Sequence, residues 1–196
     1  MHLFIEIFTF LAFLATVWHA GATRGREGVA LLSALFLLGL LRENAVAIRS
    51  LLYDFAPLAL HLGRAPLIAT IIWGFSIYAA LVFAKEVSGE TIGRGVPSAR
   101  ALGAVAIFMI ALVGFYEPFL ARIGMARWQE GTRATVGVPW IALIGYPTLA
   151  VGFLILWGWA ARRSRALRLA VLSLGLPALA LGHAFGLQAL KGALGW

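Results

Sequence analysis

The chain has 196 residues, of which 62% are hydrophobic and only 12% charged, with no cysteine and a net charge of +8. Its mean hydropathy is +0.92. A soluble domain is about 25% charged, so this composition excludes a soluble globular fold, and the missing thiols exclude disulfides and thiolate metal sites. The positive charge sits at the ends of apolar runs and on no recognised nucleic-acid module, so nucleic acid is not an expected partner.

The apolar runs are long and unbroken, which predicts an all-α, polytopic bundle rather than a β-barrel. A helix needs about 20 apolar residues to cross a bilayer. About six spans fit, near residues 3–20, 28–47, 65–84, 100–119, 138–160 and 167–189, within a single membrane domain covering 1–196. The N-terminal run reads as a retained helix, because it carries Glu6 and lacks a basic leader. Residues near 50–63 are amphipathic and read as an interfacial segment, either flat in the interface or folded back on the bundle. Residues 85–100 hold three glycines and Pro97 and read as a loop. No internal repeat stands out. Lys and Arg divide nine to seven between alternate sides, and the Arg162–Arg168 cluster places its side in the cytoplasm.

Charged groups at membrane depth cost about 2.5–3.5 kcal/mol each, so each asks for a reason. Arg42-Glu43 closes the second span. Either the pair marks a helix end, or Glu43 faces the bundle as a desolvated carboxyl able to deliver a proton. Glu117 precedes Pro118 at a kink or exit of the fourth span. It is either an interfacial charge beside Arg122 or a second carboxyl facing the same cavity. Asp54 and His61, seven places apart, share a face if their segment is helical. His19 and His183 are solitary, and nothing beyond residue type suggests haem. Trp128 and Trp140 suit an aromatic belt, whereas Trp73 lies deeper and suits a cavity wall.

Two blocks carry a likeness. The first is Arg42-Glu43, Tyr53, His61-Leu62-Gly63-Arg64-Ala65-Pro66-Leu67 and Trp73. The second is Tyr116-Glu117-Pro118-Phe119-Leu120-Ala121-Arg122-Ile123-Gly124, Arg127-Trp128, Gly137-Val138-Pro139-Trp140 and Gly145-Tyr146. In order and spacing they resemble the bacterial and archaeal carotenoid biosynthesis membrane proteins, which include carotenoid 1,2-hydratases. Where that family has a Gly-Trp pair, this chain reads Gly145-Tyr146. The resemblance implies acid-catalysed hydration of a terminal C=C bond in a long isoprenoid, with no metal or organic cofactor. It implies Glu43, Glu117 and Asp54 as candidate catalytic groups and Tyr53, Trp73, Trp128 and Trp140 as candidate substrate contacts. It implies a multi-pass protein of the bacterial inner membrane, with lipid and a carotenoid or isoprenoid as partners. Two other readings stay open: a non-catalytic subunit that binds pigment or lipid within a complex or homo-oligomer, and a small transporter.

Overall fold

The computed structural model describes residues 2–49, 52–55, 60–91 and 95–196. Each long apolar run is helical, because only intrachain hydrogen bonds satisfy the backbone in hydrocarbon. The helices are α1 (His2–Arg49), α2 (Leu67–Ser88), α3 (Ala99–Arg122), α4 (Trp140–Ala161) and α5 (Arg165–Leu194). All five are long and apolar enough to cross a membrane. Among the described residues six short strands join them: β1 (Tyr53–Phe55), β2 (His61–Leu62), β3 (Ala65–Pro66), β4 (Ala126–Trp128), β5 (Ala134–Thr135) and β6 (Val138–Pro139).

α1 is interrupted. Gly25 has φ 57° and ψ −143°, outside helical geometry and in the left-handed half of the map that favours glycine. The residues on its two sides pack on each other: the rings of Phe13 and Phe36 lie 5.9 Å apart. On a straight helix those 23 places (36 − 13) would separate them by about 35 Å.

The core is built from all five helices. Leu31, Leu35 and Leu38 of α1 meet Ile77 and Leu81 of α2, Val105 and Met109 of α3, Leu149 and Phe153 of α4, and Leu176 of α5. Phe115 and Leu174 point outward and are 73% and 75% exposed, as side chains facing lipid should be. α1 and α2 approach closely at Gly39, where a Cβ would meet the Thr70 carbonyl oxygen at 2.7 Å and Trp73 Cβ at 2.9 Å. Gly39→Ala is therefore expected to lower stability by about 1–3 kcal/mol, read as a fall in the thermal unfolding midpoint in detergent.

The amphipathic segment near 50–63 is not helical where it is described. Residues 50–51 and 56–59 lie outside the described residues. Tyr53–Phe55 is a strand folded back onto the bundle, paired antiparallel with Ala126–Trp128. His61–Leu62 pairs with Ala65–Pro66. Asp54 and His61 thus stand on different strands and share no helical face.

The strands expose a repeat that the sequence reading did not find. Arg49 and Arg122 end α1 and α3, Leu67 and Trp140 begin α2 and α4, and Ser88 and Ala161 end them; each pair is 73 places apart (122 − 49, 140 − 67, 161 − 88). The hairpins follow the same shift. His61 pairs with Pro66 as Ala134 pairs with Pro139. Pro66 and Pro139 precede their helices with matching φ/ψ, −60°/137° and −65°/132°. The Leu67 N–H donates to the Leu60 carbonyl, and the Trp140 N–H to that of Arg133. The β1–β4 pair is centred on Asp54 and Arg127, also 73 apart (127 − 54), as a twofold axis through that pair requires. The two halves run in the same direction, so this is a parallel repeat.

Candidate functional site

The repeat brings two carboxyls to one place. Glu43 lies in the last two turns of α1 and is 1% exposed. Arg42, 2% exposed, forms an ion pair with it. The Trp73 indole N–H of α2 donates to Glu43 Oε1. The Tyr53 hydroxyl donates to both Glu43 oxygens, at 2.9 and 2.8 Å, and itself accepts from the Arg42 guanidinium. Burial pushes the Tyr53 phenol well above its ordinary range, which keeps its proton in place as a donor. The guanidinium is flanked by the Trp73 and Tyr53 rings, 5.0 and 5.3 Å from its carbon, while its Nε–H has no acceptor among the described residues. Among the described residues, every group hydrogen-bonded to Glu43 is a donor and none accepts from it.

Glu117 stands in α3 and is 3% exposed. The helix runs on through Pro118 to Arg122, so Glu117 is within the span rather than at its exit. The Trp128 indole N–H, on β4, donates to Oε2 at 2.7 Å. The Tyr146 hydroxyl, on α4, donates to Oε1 at 2.7 Å. These partners are neutral. A phenol both gives and accepts hydrogen bonds, so the Tyr146 contact survives whether or not Glu117 carries a proton.

The two half-sites are interlocked. The Trp73 and Tyr146 rings lie 4.6 Å apart, and those of Tyr53 and Trp128 lie 4.9 Å apart. Trp73 and Tyr146 occupy equivalent places in the repeat (146 − 73 is again 73), and each binds the carboxyl of its own half. The carboxyls differ by 74 places (117 − 43), one step out of register, beside Pro118 in α3.

Glu43, Tyr53, Trp73, Glu117, Trp128 and Tyr146 line one cavity, completed by apolar Phe55, Ile68, Ile72, Leu120 and Met125. Its volume is about 40 Å³, room for about three water molecules. Two carboxyls thus border a small, largely apolar space, with aromatic faces available to a cation.

Five of the seven residues singled out from sequence meet there: Glu43, Glu117, Tyr53, Trp73 and Trp128. Asp54 does not. Strand side chains alternate in direction, so with Tyr53 buried Asp54 is exposed. Asp54→Asn is expected to change stability by no more than about 0.5 kcal/mol and to leave activity at this cavity intact, measured beside the wild type. Trp140 is 38% exposed; its indole donates to Thr135 Oγ1 and its ring meets Trp196. Arg42 and Tyr146 are the contributors the sequence reading did not assign. Arg42 enters the sequence reading only as the neighbour of Glu43, with no role of its own at a site. The signal for Tyr146 was its place seven residues after Pro139, matching Trp73 seven after Pro66 (146 − 139, 73 − 66).

The histidines lie elsewhere. His19 Nδ1 is 2.9 Å from the Tyr78 hydroxyl, and His183 Nε2 is 2.8 Å from the Gly145 carbonyl oxygen. No protein-family model, curated protein or solved structure matches the chain.

Proposed function

We propose that this protein hydrates the terminal C=C bond of a long isoprenoid such as an acyclic carotenoid, without a cofactor. The observation that carries the reading is a pair of buried carboxyls facing one apolar cavity with unlike partners. Glu117 delivers its proton to the less substituted alkene carbon, and the π electrons form that C–H bond. The tertiary cation left on the neighbouring carbon lies against the Trp73, Tyr146, Tyr53 and Trp128 rings. Water held by Glu43 adds to the cation and forms the C–O bond. The surplus proton passes to Glu43 and returns to Glu117 through cavity water and Tyr146. The balance is one alkene and one water giving one tertiary alcohol.

The small volume supports reaction at a chain end over enclosure of a whole pigment. Ile68 and Ile72 of α2 with Leu120 of α3 give the cavity an apolar wall suited to the hydrocarbon end of such a chain. The resemblance noted in the sequence supports the same substrate class. In a host that makes lycopene, the wild-type chain is expected to yield hydroxylated product, and Glu43→Gln and Glu117→Gln little or none. Full product from both variants would remove the assignment.

The break at Gly25 supports six crossings rather than five, with both termini on one side of the membrane. Unbroken, α1's 48 residues would extend about 72 Å, over twice the about 30 Å hydrocarbon core. The absence of native cysteine makes this directly readable. Leu3→Cys is expected to label from the same side as Thr132→Cys and opposite Thr91→Cys. Labelling of Leu3→Cys with Thr91→Cys would mean that α1 crosses once.

A further inference from the structure

At the end of the bundle opposite the carboxyl cavity, α1 and α5 frame a groove of about 690 Å³. Two faces of equal length line it. On α1 the face runs from Arg26 to Leu37, and on α5 from Arg165 to Leu176. Each covers 11 places (37 − 26, 176 − 165), about 16 Å of helix. That is close to half the about 30 Å hydrocarbon core, the depth of one lipid leaflet.

The groove is polar at one end and apolar at the other. Arg26, Arg165 and Arg168 stand at its mouth beside one acid, Glu27. Arg168 is 3.9 Å from Glu27 and lies over the Trp157 ring at 4.5 Å. Three cations against one anion leave two positive charges for a ligand. α5 begins at this end, so its N-terminal dipole adds to the attraction for an anion. Deeper in, Leu37, Leu169, Leu172 and Leu176 give hydrocarbon walls. Trp157, 2% exposed, also lines the groove, and its indole N–H has no acceptor among the described residues.

We propose that this groove binds one anionic phospholipid, with its phosphate at Arg26, Arg165 and Arg168 and one acyl chain along the leucines. Basic pockets between membrane helices hold anionic headgroups by this combination. The site is independent of the chemistry at the opposite end.

Native mass spectrometry of the detergent-solubilised protein tests it, with phosphatidylglycerol, phosphatidylcholine and inorganic phosphate as probes. The wild type is expected to retain one phosphatidylglycerol at least about tenfold more tightly than phosphatidylcholine. Each surface arginine contributes about fivefold, so Arg26→Gln with Arg165→Gln should weaken phosphatidylglycerol by about 30-fold. Arg100→Gln with Arg133→Gln removes the same charge elsewhere and should leave it unchanged. Ser173→Phe keeps every charge but fills the groove, and should also weaken retention. Equal binding of the two lipids would overturn the proposal, as would an unaffected Ser173→Phe or equal loss from both double variants. Displacement of lipid by phosphate alone would show a headgroup site without an acyl groove, and would overturn it too.

Discussion

Glu117→Gln is expected to lower hydration by about 10²–10⁴-fold while the protein remains folded. Gln has the same shape. Its amide oxygen accepts the Trp128 indole N–H, and its amide NH₂ donates to the Tyr146 hydroxyl, so both contacts made by Glu117 persist. What disappears is the transferable proton. Product per unit of membrane-inserted protein reads the activity, and thermal unfolding in detergent reads the fold. Tyr146→Phe complements it: Glu117 and its Trp128 contact remain, but the hydroxyl that gives or takes a proton is gone, so a smaller loss is expected. Wild-type turnover by Glu117→Gln would take the acid role away from this residue.

Arg42→Met is expected to cause the largest loss of stability of any single change described, about 3–5 kcal/mol, because it leaves Glu43 buried without its cation. Losing the guanidinium also removes the donor to the Tyr53 hydroxyl and the cation between the Tyr53 and Trp73 rings. Adding Glu43→Gln to Arg42→Met should recover part of the loss, since a neutral amide tolerates burial better than an orphaned carboxylate. Denaturation of the four proteins of this cycle in one detergent measures the coupling. If Arg42→Met unfolds like the wild type, the pair contributes nothing to stability and water or another cation takes its place.

The long apolar helices were legible because each is a long apolar run, a signal that survives without any tertiary information, although two of the six expected runs fall within the one helix α1. The two carboxyls were legible for the complementary reason: in a chain this apolar, a charge at depth is conspicuous. Neither signal reaches the connections. Strands of two and three residues are too short to show a period of two, so the 50–63 stretch looked helical and Asp54 was grouped with Tyr53 when alternation points them apart. The repeat was hidden for a similar reason. At a shift of 73 the hairpin-to-helix joints share Pro66 with Pro139, Ile68 with Ile141, Ala69 with Ala142 and Ile71 with Ile144, while Trp73 faces Tyr146 and Glu43 is one place out of register with Glu117. Backbone geometry and hydrogen bonding carry the repeat further than residue identity does. Gly25 falls between the expected spans at 3–20 and 28–47, but only the φ/ψ pair and the Phe13–Phe36 contact show how the chain passes through it.

The repeat gives the site its logic. Two equivalent halves each supply a carboxyl, an indole donor and a phenol donor, and the axis between them puts both carboxyls on one cavity. The halves then diverge. One carboxyl gains Arg42 and is surrounded by donors alone; the other keeps neutral partners and one phenol able to reverse its bond. An acid and a water-holding base need that kind of unlike environment on like groups.

The most direct measurement is turnover by the purified protein in lipid vesicles loaded with lycopene and suspended in oxygen-labelled water. The predicted result is a product one water heavier than its substrate, with the label on the tertiary carbon at the chain end and none formed by Glu117→Gln. Unaltered lycopene, or a product whose oxygen does not come from the water, would contradict hydration at this cavity.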